Sequence, residues 1–228
     1  MRASHQNGGR YGDARDELLF GRVHHGVVAV LQAVMTMELV VLLLTGRYLA
    51  ALMVAGVLAL PLLFRNMSLQ IPAEMQLATV LFVFATLFLG EVLDYYERFW
   101  WWDAALHFSS GLLLGLFGFL LVYMMNENRT VDFHMRPGFV ALFALLFAVA
   151  VGGLWEVVEF AMDQWFGTQM QKPTATDPSG LSDSMYDIVL DTAGAAIVSL
   201  YGWHYMRRTN GGWLRRFIRA HPQMFGAR

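Results

Sequence analysis

Apolar residues run in long blocks separated by short polar breaks, and the blocks predict helices rather than strands. The first runs from Val23 to Leu44, interrupted only by polar residues such as Gln32 and Glu38, and Gly46–Arg47 close it. The second, Tyr48 to Phe64, is short and carries Pro61 near its end. A third begins near Ile71–Pro72, where proline suits a first helical turn, and ends at Leu93 before Asp94, Tyr95, Tyr96, Glu97 and Arg98. A fourth spans Asp103 to Met125. A fifth follows Pro137–Gly138 and reaches about Phe166. A polar loop, 167–182, precedes a sixth from Asp183 to about Met206. Several blocks approach the roughly 20 residues that cross a bilayer. Strand alternation is absent, and the runs are too long for barrel strands. The pattern predicts an all-α polytopic transmembrane bundle of six spans. Five is the alternative count, with the short second block re-entrant.

Composition agrees. Of 228 residues, 57% are hydrophobic and 15% charged, against about 45–50% and 25% in soluble domains. This argues against a soluble enzyme, a nucleic-acid binder or a disordered chain. There are no cysteines, which excludes disulfides, thiolate metal sites and cysteine nucleophiles. Residues 1–20 form a polar tail without an apolar core or a small-residue cleavage site, so no removable signal peptide is expected. Residues 21–206 form the membrane domain and 207–228 a basic tail. Within that tail, Trp213 to Arg219 is suited to lie on an anionic inner leaflet.

Charge sets the orientation. In the six-span scheme the termini share a side with thirteen arginines: Arg2, Arg10, Arg15, Arg22, Arg65, Arg129, Arg136, Arg207, Arg208, Arg215, Arg216, Arg219 and Arg228. The other side holds Arg47, Arg98 and Lys172. The positive-inside rule then makes both termini cytoplasmic in an inner membrane, with Trp100, Trp101 and Trp102 at the outer interface.

Eleven of the eighteen acidic residues map to the outer half or the outer loops. Asp103 and His107 are four apart and share a helix face. Glu156, Glu159 and Asp163 follow an i, i+3, i+7 stripe, and Asp183, Asp187 and Asp191 an i, i+4, i+8 stripe. At 1.5 Å per residue, His107 lies roughly 6 Å, Asp191 roughly 12 Å and Glu156 roughly 15 Å below the outer end, depths that allow one cluster. An ionised group at the bilayer centre costs about 2.5–3.5 kcal/mol even on lenient scales. Such acids hold protons, pair with bases or bind a cation. Helical bundles build metal sites from inward-facing Glu and His, although the Glu-x-x-His spacing of that class is missing. The expected ligands of a divalent metal ion are Asp103, His107, Glu156, Asp187 and Asp191, with Glu159 as general base. Glu91, Asp94 and Glu38 form an additional candidate polar cluster. The plainer reading of each acid is internal hydrogen bonding. For Asp94, Glu97, Asp163, Asp177 and Asp183 it is a solvated rim. Ser110, Gly111, Gly115, Gly118, Gly194 and Ala195 read as small packing residues. Motifs for phosphate-binding loops, serine hydrolases and His-Glu-x-x-His metalloproteases are absent.

The stretches Trp-Trp-Asp103-x-x-x-His107-Phe-x-x-Gly111, Trp155-Glu156-x-x-Glu159 and Asp187-x-x-x-Asp191-x-x-Gly194 resemble the YjdF-like family of uncharacterised bacterial membrane proteins over roughly residues 20–206. They are more distantly similar to VanZ, a membrane protein linked to teicoplanin resistance. Asp103, His107, Glu156, Asp187 and Gly194 match the VanZ-like pattern. Glu159 stands for its Gln and Asp191 for its Asn, adding two negative charges. The resemblance implies a multi-span inner-membrane protein without an assigned reaction.

Three functions fit these residues. The first is a metal-dependent hydrolase or transferase acting on a lipid or lipid-linked substrate near the outer leaflet. The second is a proton- or cation-coupled transporter, which duplicated halves would have favoured and the sequence lacks. The third is a structural or accessory subunit of a larger membrane complex. Membrane lipids are the expected partners, with a homo-oligomer or a larger complex open and nucleic acid excluded.

Overall fold

The structure, a computed structural model, describes residue 26 and residues 29–64, 73–127 and 135–208. The N-terminal tail, the turn at Arg65–Asn66, the start at Ile71–Pro72 and the segment from Trp213 to Arg219 lie outside these residues. The described residues are helical and contain no strand. Three helices are long and apolar enough to cross a membrane: Met75–Val92, Trp102–Val122 and Pro137–Phe166. The chain divides into two compact units, Met1–Tyr95 and Tyr96–Arg228.

In the first unit, α1 (Ala29–Leu44) ends where Gly46 adopts φ 76°. Arg47 N–H donates to Leu42 O and Gly46 N–H to Leu43 O. These paired bonds satisfy the last carbonyls and turn the chain at once into α2 (Tyr48–Phe64). Next, α3 (Ala73–Phe84) passes into a π-helix, Ala85–Val92, closed by Leu93 N–H donating to Phe88 O at 3.0 Å. Sequence periodicity reads this as one continuous span, because a π-helix shares the apolar run of its α-helical neighbour. Met35, Leu42, Ala51, Val54 and Leu87 form the buried apolar cluster of this unit. The short α4 (Tyr95–Arg98) follows.

The second unit is a bundle of α5 (Trp102–Glu127), α6 (Pro137–Phe166) and α7 (Leu181–Arg208), each packed against the other two. Pro137 starts α6 at a position where its missing N–H is harmless, and Gly167 ends it at φ 64°. Small residues bring the backbones together. A Cβ on Gly118 of α5 would lie 2.7 Å from Ala144 Cα of α6. Gly111 of α5 abuts the Asp191 backbone, and Gly194 of α7 abuts the Phe108 carbonyl. The packing role expected for these glycines therefore holds. With 28 residues, α7 is about 42 Å long at 1.5 Å per residue, yet it is not among the strongly apolar spans. The face it turns to α5 and α6 carries Ser184, Asp187, Asp191 and Ser199, all buried.

Candidate functional site

One half of the α5–α7 bundle is packed by Ala and Gly; the other half is polar. On α6 the buried stripe runs Ala141, Ala144, Ala148, Gly152, Glu156, Glu159 at helical spacing. It changes from small apolar residues to acids along a single face. On α5 the corresponding face carries Asp103, His107 and Ser110, and on α7 Ser184, Asp187 and Asp191. The same close packing that joins the backbones at one end brings the acids together at the other.

His107, 8% exposed, is the hub. Its Nδ1 lies 3.3 Å from Asp191 Oδ2 and 4.0 Å from Glu156 Oε1, while its Nε2 lies 3.7 Å from Asp187 Oδ2 and 3.9 Å from Asp103 Oδ1. The Ser110 hydroxyl is within reach of both Asp191 Oδ1 and the His107 carbonyl, and its one proton serves one acceptor at a time. Asp191 is 1% exposed. Gly152 leaves it room, since a Cβ there would stand 2.6 Å from Asp191 Oδ2. Trp155 Nε1 donates to Glu159 Oε1 at 2.8 Å. Neither oxygen of the buried Glu156 carboxylate makes a hydrogen bond of normal geometry among the described residues, although Ser184 is an electrostatic neighbour. Buried carboxylates are ordinarily satisfied, and one oxygen of Glu156 lies 4.0 Å from His107 Nδ1, inside the cluster.

Two sets of side chains bring their ligand atoms within 4.8 Å of one another: Asp103, His107 and Asp187, and His107, Glu156 and Glu159. The 3.7 and 3.9 Å separations at Nε2 are too long for hydrogen bonds. They are close to the spacing of roughly 3.3–3.6 Å that tetrahedral ligands 2.0–2.2 Å from a shared cation would have. Imidazole plus carboxylate is a donor set that suits zinc, iron or manganese. In the neutral tautomer that donates Nδ1–H to Asp191, the Nε2 lone pair would face Asp103 and Asp187, the arrangement that orients metal-binding histidines.

The loop 167–180 closes this end of the bundle. Asp163 accepts hydrogen bonds from the Thr168 hydroxyl and from the Met170 and Gln171 amides, and Gln171 Nε2 donates to Ser184 Oγ at 2.9 Å. Asp177 accepts from Ser179 Oγ and from the Ser182 amide, both at 2.7 Å, satisfying a donor in the first turn of α7. These two acids are structural anchors of the loop rather than a merely solvated rim. The loop delivers Lys172, at φ 42°, against Asp103 Oδ2 and 3.8 Å from Asp183 Oδ2, with its ammonium 5.7 Å from the Tyr96 ring centre. Burial by itself would push this ammonium down, but Asp103, Asp183 and Asp187 outweigh it and hold Lys172 above its ordinary range.

The structure thus brings together Asp103, His107, Glu156, Glu159, Asp187 and Asp191, the six residues singled out by spacing. Glu38, Glu91 and Asp94 belong to the first unit. There Glu91 pairs with Arg47 at 3.1 Å, Asp94 is an exposed turn residue at φ 55°, and Glu38 is buried. Sequence reasoning gave no site role to Ser110, Gly152, Ser184 or Lys172. For the first three the available signal was helical spacing, because Ser110 is three beyond His107, Gly152 four before Glu156 and Ser184 three before Asp187. Lys172 is the only lysine in the chain.

A family model described as "Predicted membrane protein (DUF2238)" matches residues 23–208, which include every residue of this site. An uncharacterised protein of Thermotoga maritima is 30% identical over 125 residues, covering 55% of this chain and 59% of the relative. The aligned stretch therefore spans less than two thirds of that relative. No solved structure matches the chain.

Proposed function

The chain belongs to the DUF2238 family of predicted membrane proteins, and from that premise we propose that it is a metal-dependent hydrolase or transferase of the inner membrane acting on a lipid or lipid-linked substrate. In this reading it crosses the membrane six times with both termini cytoplasmic. The thirteen-to-three arginine and lysine asymmetry supports that orientation.

One observation carries the proposal. Five carboxylates, four of them buried, converge on a single imidazole, and neither Glu156 oxygen makes a hydrogen bond of normal geometry among the described residues. Acids at this density hold protons or take on positive charge beyond Lys172 and His107, and a divalent cation on Asp103, His107 Nε2 and Asp187 would supply that charge. Asp191 then fixes the imidazole, and Ser110 fixes Asp191. A bound cation would polarise a phosphoryl or carbonyl oxygen and acidify a water. Glu159, held by Trp155, is the residue placed to accept the proton. Glu156, with an oxygen within 4.8 Å of ligand atoms of both Glu159 and His107, would complete the ligand set or pass the proton on. Lipid is the partner that this reading requires.

Elemental analysis of the protein purified in detergent without chelator tests it. Stoichiometric metal, lost in both Asp103→Asn and His107→Ala, is the expected result. Metal-free protein from metal-supplemented cells, with no binding on titration, would overturn it. Screening of outer-leaflet lipids for hydrolysis or transfer follows from the first outcome.

A further inference from the structure

The first unit has a buried acid of its own. Leu31, Met35, Glu38 and Leu42 lie on one face of α1, and all four are buried; Glu38 is only 1% exposed. Met35 and Leu42 on either side of it pack with Ala51 and Val54 of α2 and Leu87 of the π-helix. Both carboxylate oxygens of Glu38 are buried without a hydrogen-bond partner among the described residues. The charged groups around it are few. Glu91 of the π-helix is near enough to act on it electrostatically. Arg47 is taken by Glu91, donating to its carboxylate at 3.1 Å and to its backbone carbonyl at 2.9 Å. On α2 there is no charged residue, and Tyr48 at its start is exposed; residues 75–84 of α3 carry no charge either. A carboxylate at position 38 would be an uncompensated charge in apolar surroundings, with a second negative group nearby.

We infer that Glu38 is a proton-holding carboxylic acid inside the membrane-spanning part of the first unit, a proton-exchange site that apolar carbodiimides modify. The exposed Glu91–Arg47 pair is its link to water, the two side chains being 39% and 47% accessible. The adjoining π-helix supports a functional role, since such segments are frequent at functional sites. The diagnostic chemistry needs a neutral acid in an apolar setting. The carboxyl O–H adds across a C=N bond of the carbodiimide: oxygen bonds to the central carbon, the proton goes to nitrogen, and acyl migration gives a stable N-acylurea with no leaving group.

The experiment treats the purified full chain in detergent with dicyclohexylcarbodiimide at pH 6 and pH 8, and locates adducts by mass spectrometry. A carboxyl of ordinary acidity, near 4.3, loses about a hundredfold in protonated fraction over those two pH units. Glu38 is expected to lose no more than about tenfold in labelling rate between pH 6 and pH 8. A water-soluble carbodiimide is expected to leave it unlabelled. The Glu38→Gln variant should lose that adduct and, with it, a protonated-carboxyl band in the infrared spectrum, while keeping the wild-type melting temperature. Labelling that falls by more than about tenfold by pH 8, toward the hundredfold of an ordinary carboxyl, or reaction with the water-soluble reagent at a comparable rate, would overturn the inference. These readouts do not depend on metal at the α5–α7 site, so the two proposals fail separately.

Discussion

Asp191 Oδ2 stands 3.3 Å from His107 Nδ1, and the other oxygen of the same carboxylate meets the Ser110 hydroxyl. One buried acid on α7 thereby sets the orientation of the only histidine in the cluster, with a serine one turn further along α5 holding the acid. Asp191→Asn keeps the volume but removes the anionic acceptor that favours Nδ1–H. In the proposed metal site this variant should fold and bind metal about 10–100-fold more weakly, read by metal titration. Asp191→Ala should in addition lower stability by about 1–3 kcal/mol, because His107 and Ser110 lose a buried partner. Unchanged affinity in Asp191→Asn would separate Asp191 from the metal reading.

Gly152 and Gly153 make a matched pair on α6. A Cβ at Gly152 would lie 2.6 Å from Asp191 Oδ2, whereas one at Gly153 meets nothing within 4 Å. Gly152→Ala is expected to destabilise by about 1–3 kcal/mol, the usual penalty for overpacking, and to displace the Asp191 carboxylate. Gly153→Ala should be neutral or stabilising by up to about 1 kcal/mol through helix propensity. Thermal unfolding in detergent ranks the two, and equal melting temperatures would show that α6 and α7 are not in close contact at Gly152.

The membrane character of the chain and the six central site residues were legible because both are encoded in local spacing. Long apolar runs mark helices, and Asp103/His107, Glu156/Glu159 and Asp187/Asp191 repeat at three or four positions, which fixes a shared face whatever the partner. The third dimension was less legible. That Gly152 sits on Asp191 depends on how α6 crosses α7, and nothing within α6 encodes it. Lys172 reaches Asp103 only because Asp163 and Asp177 organise the loop, so neither acid looks special when read as part of a stripe. The π-helix at Ala85–Val92 leaves the apolar run unbroken and has no distinctive composition. On α7, acids on the buried face lower the average hydropathy, and a helix packed on two others then falls short of the apolar measure its neighbours meet.

Asp177 links loop order to acidity. Hydrogen bonds from Ser179 and the Ser182 amide favour its carboxylate and pull it from 3.8 down to about 2. Its folded value lies below the unfolded one, so its contribution is fully present above about pH 4 and is lost as pH falls through about 2. Pepsin digestion checks this: cleavage within 167–182 should rise between pH 4 and pH 2 in the wild type. In Asp177→Ala, which lacks the acceptor at every pH, cleavage should be high throughout. A flat wild-type profile would mean that Asp177 does not hold the loop.

Lys172 and a divalent cation would compete for the same carboxylate, the ammonium on Asp103 Oδ2 and the cation on the Oδ1 that faces His107. Its ammonium contacts Asp103, a proposed ligand, and lies 3.8 Å from Asp183. The acids hold it above 10.5, so it stays fully charged through the neutral range, and its pairing is lost only when pH rises through that elevated value. A fixed positive charge beside the site repels a cation and occupies Asp103. Lys172→Gln removes both effects and should raise divalent-metal affinity on the order of tenfold, about 1.4 kcal/mol. Lys172→Arg keeps the charge and should stay near the wild type. Because the ammonium does not titrate below pH 9, the gap between Gln and wild type should be constant from pH 6 to pH 9. Isothermal titration of the three proteins distinguishes the cases. Weaker binding in Lys172→Gln would instead make the lysine an organiser of the acidic site rather than its competitor.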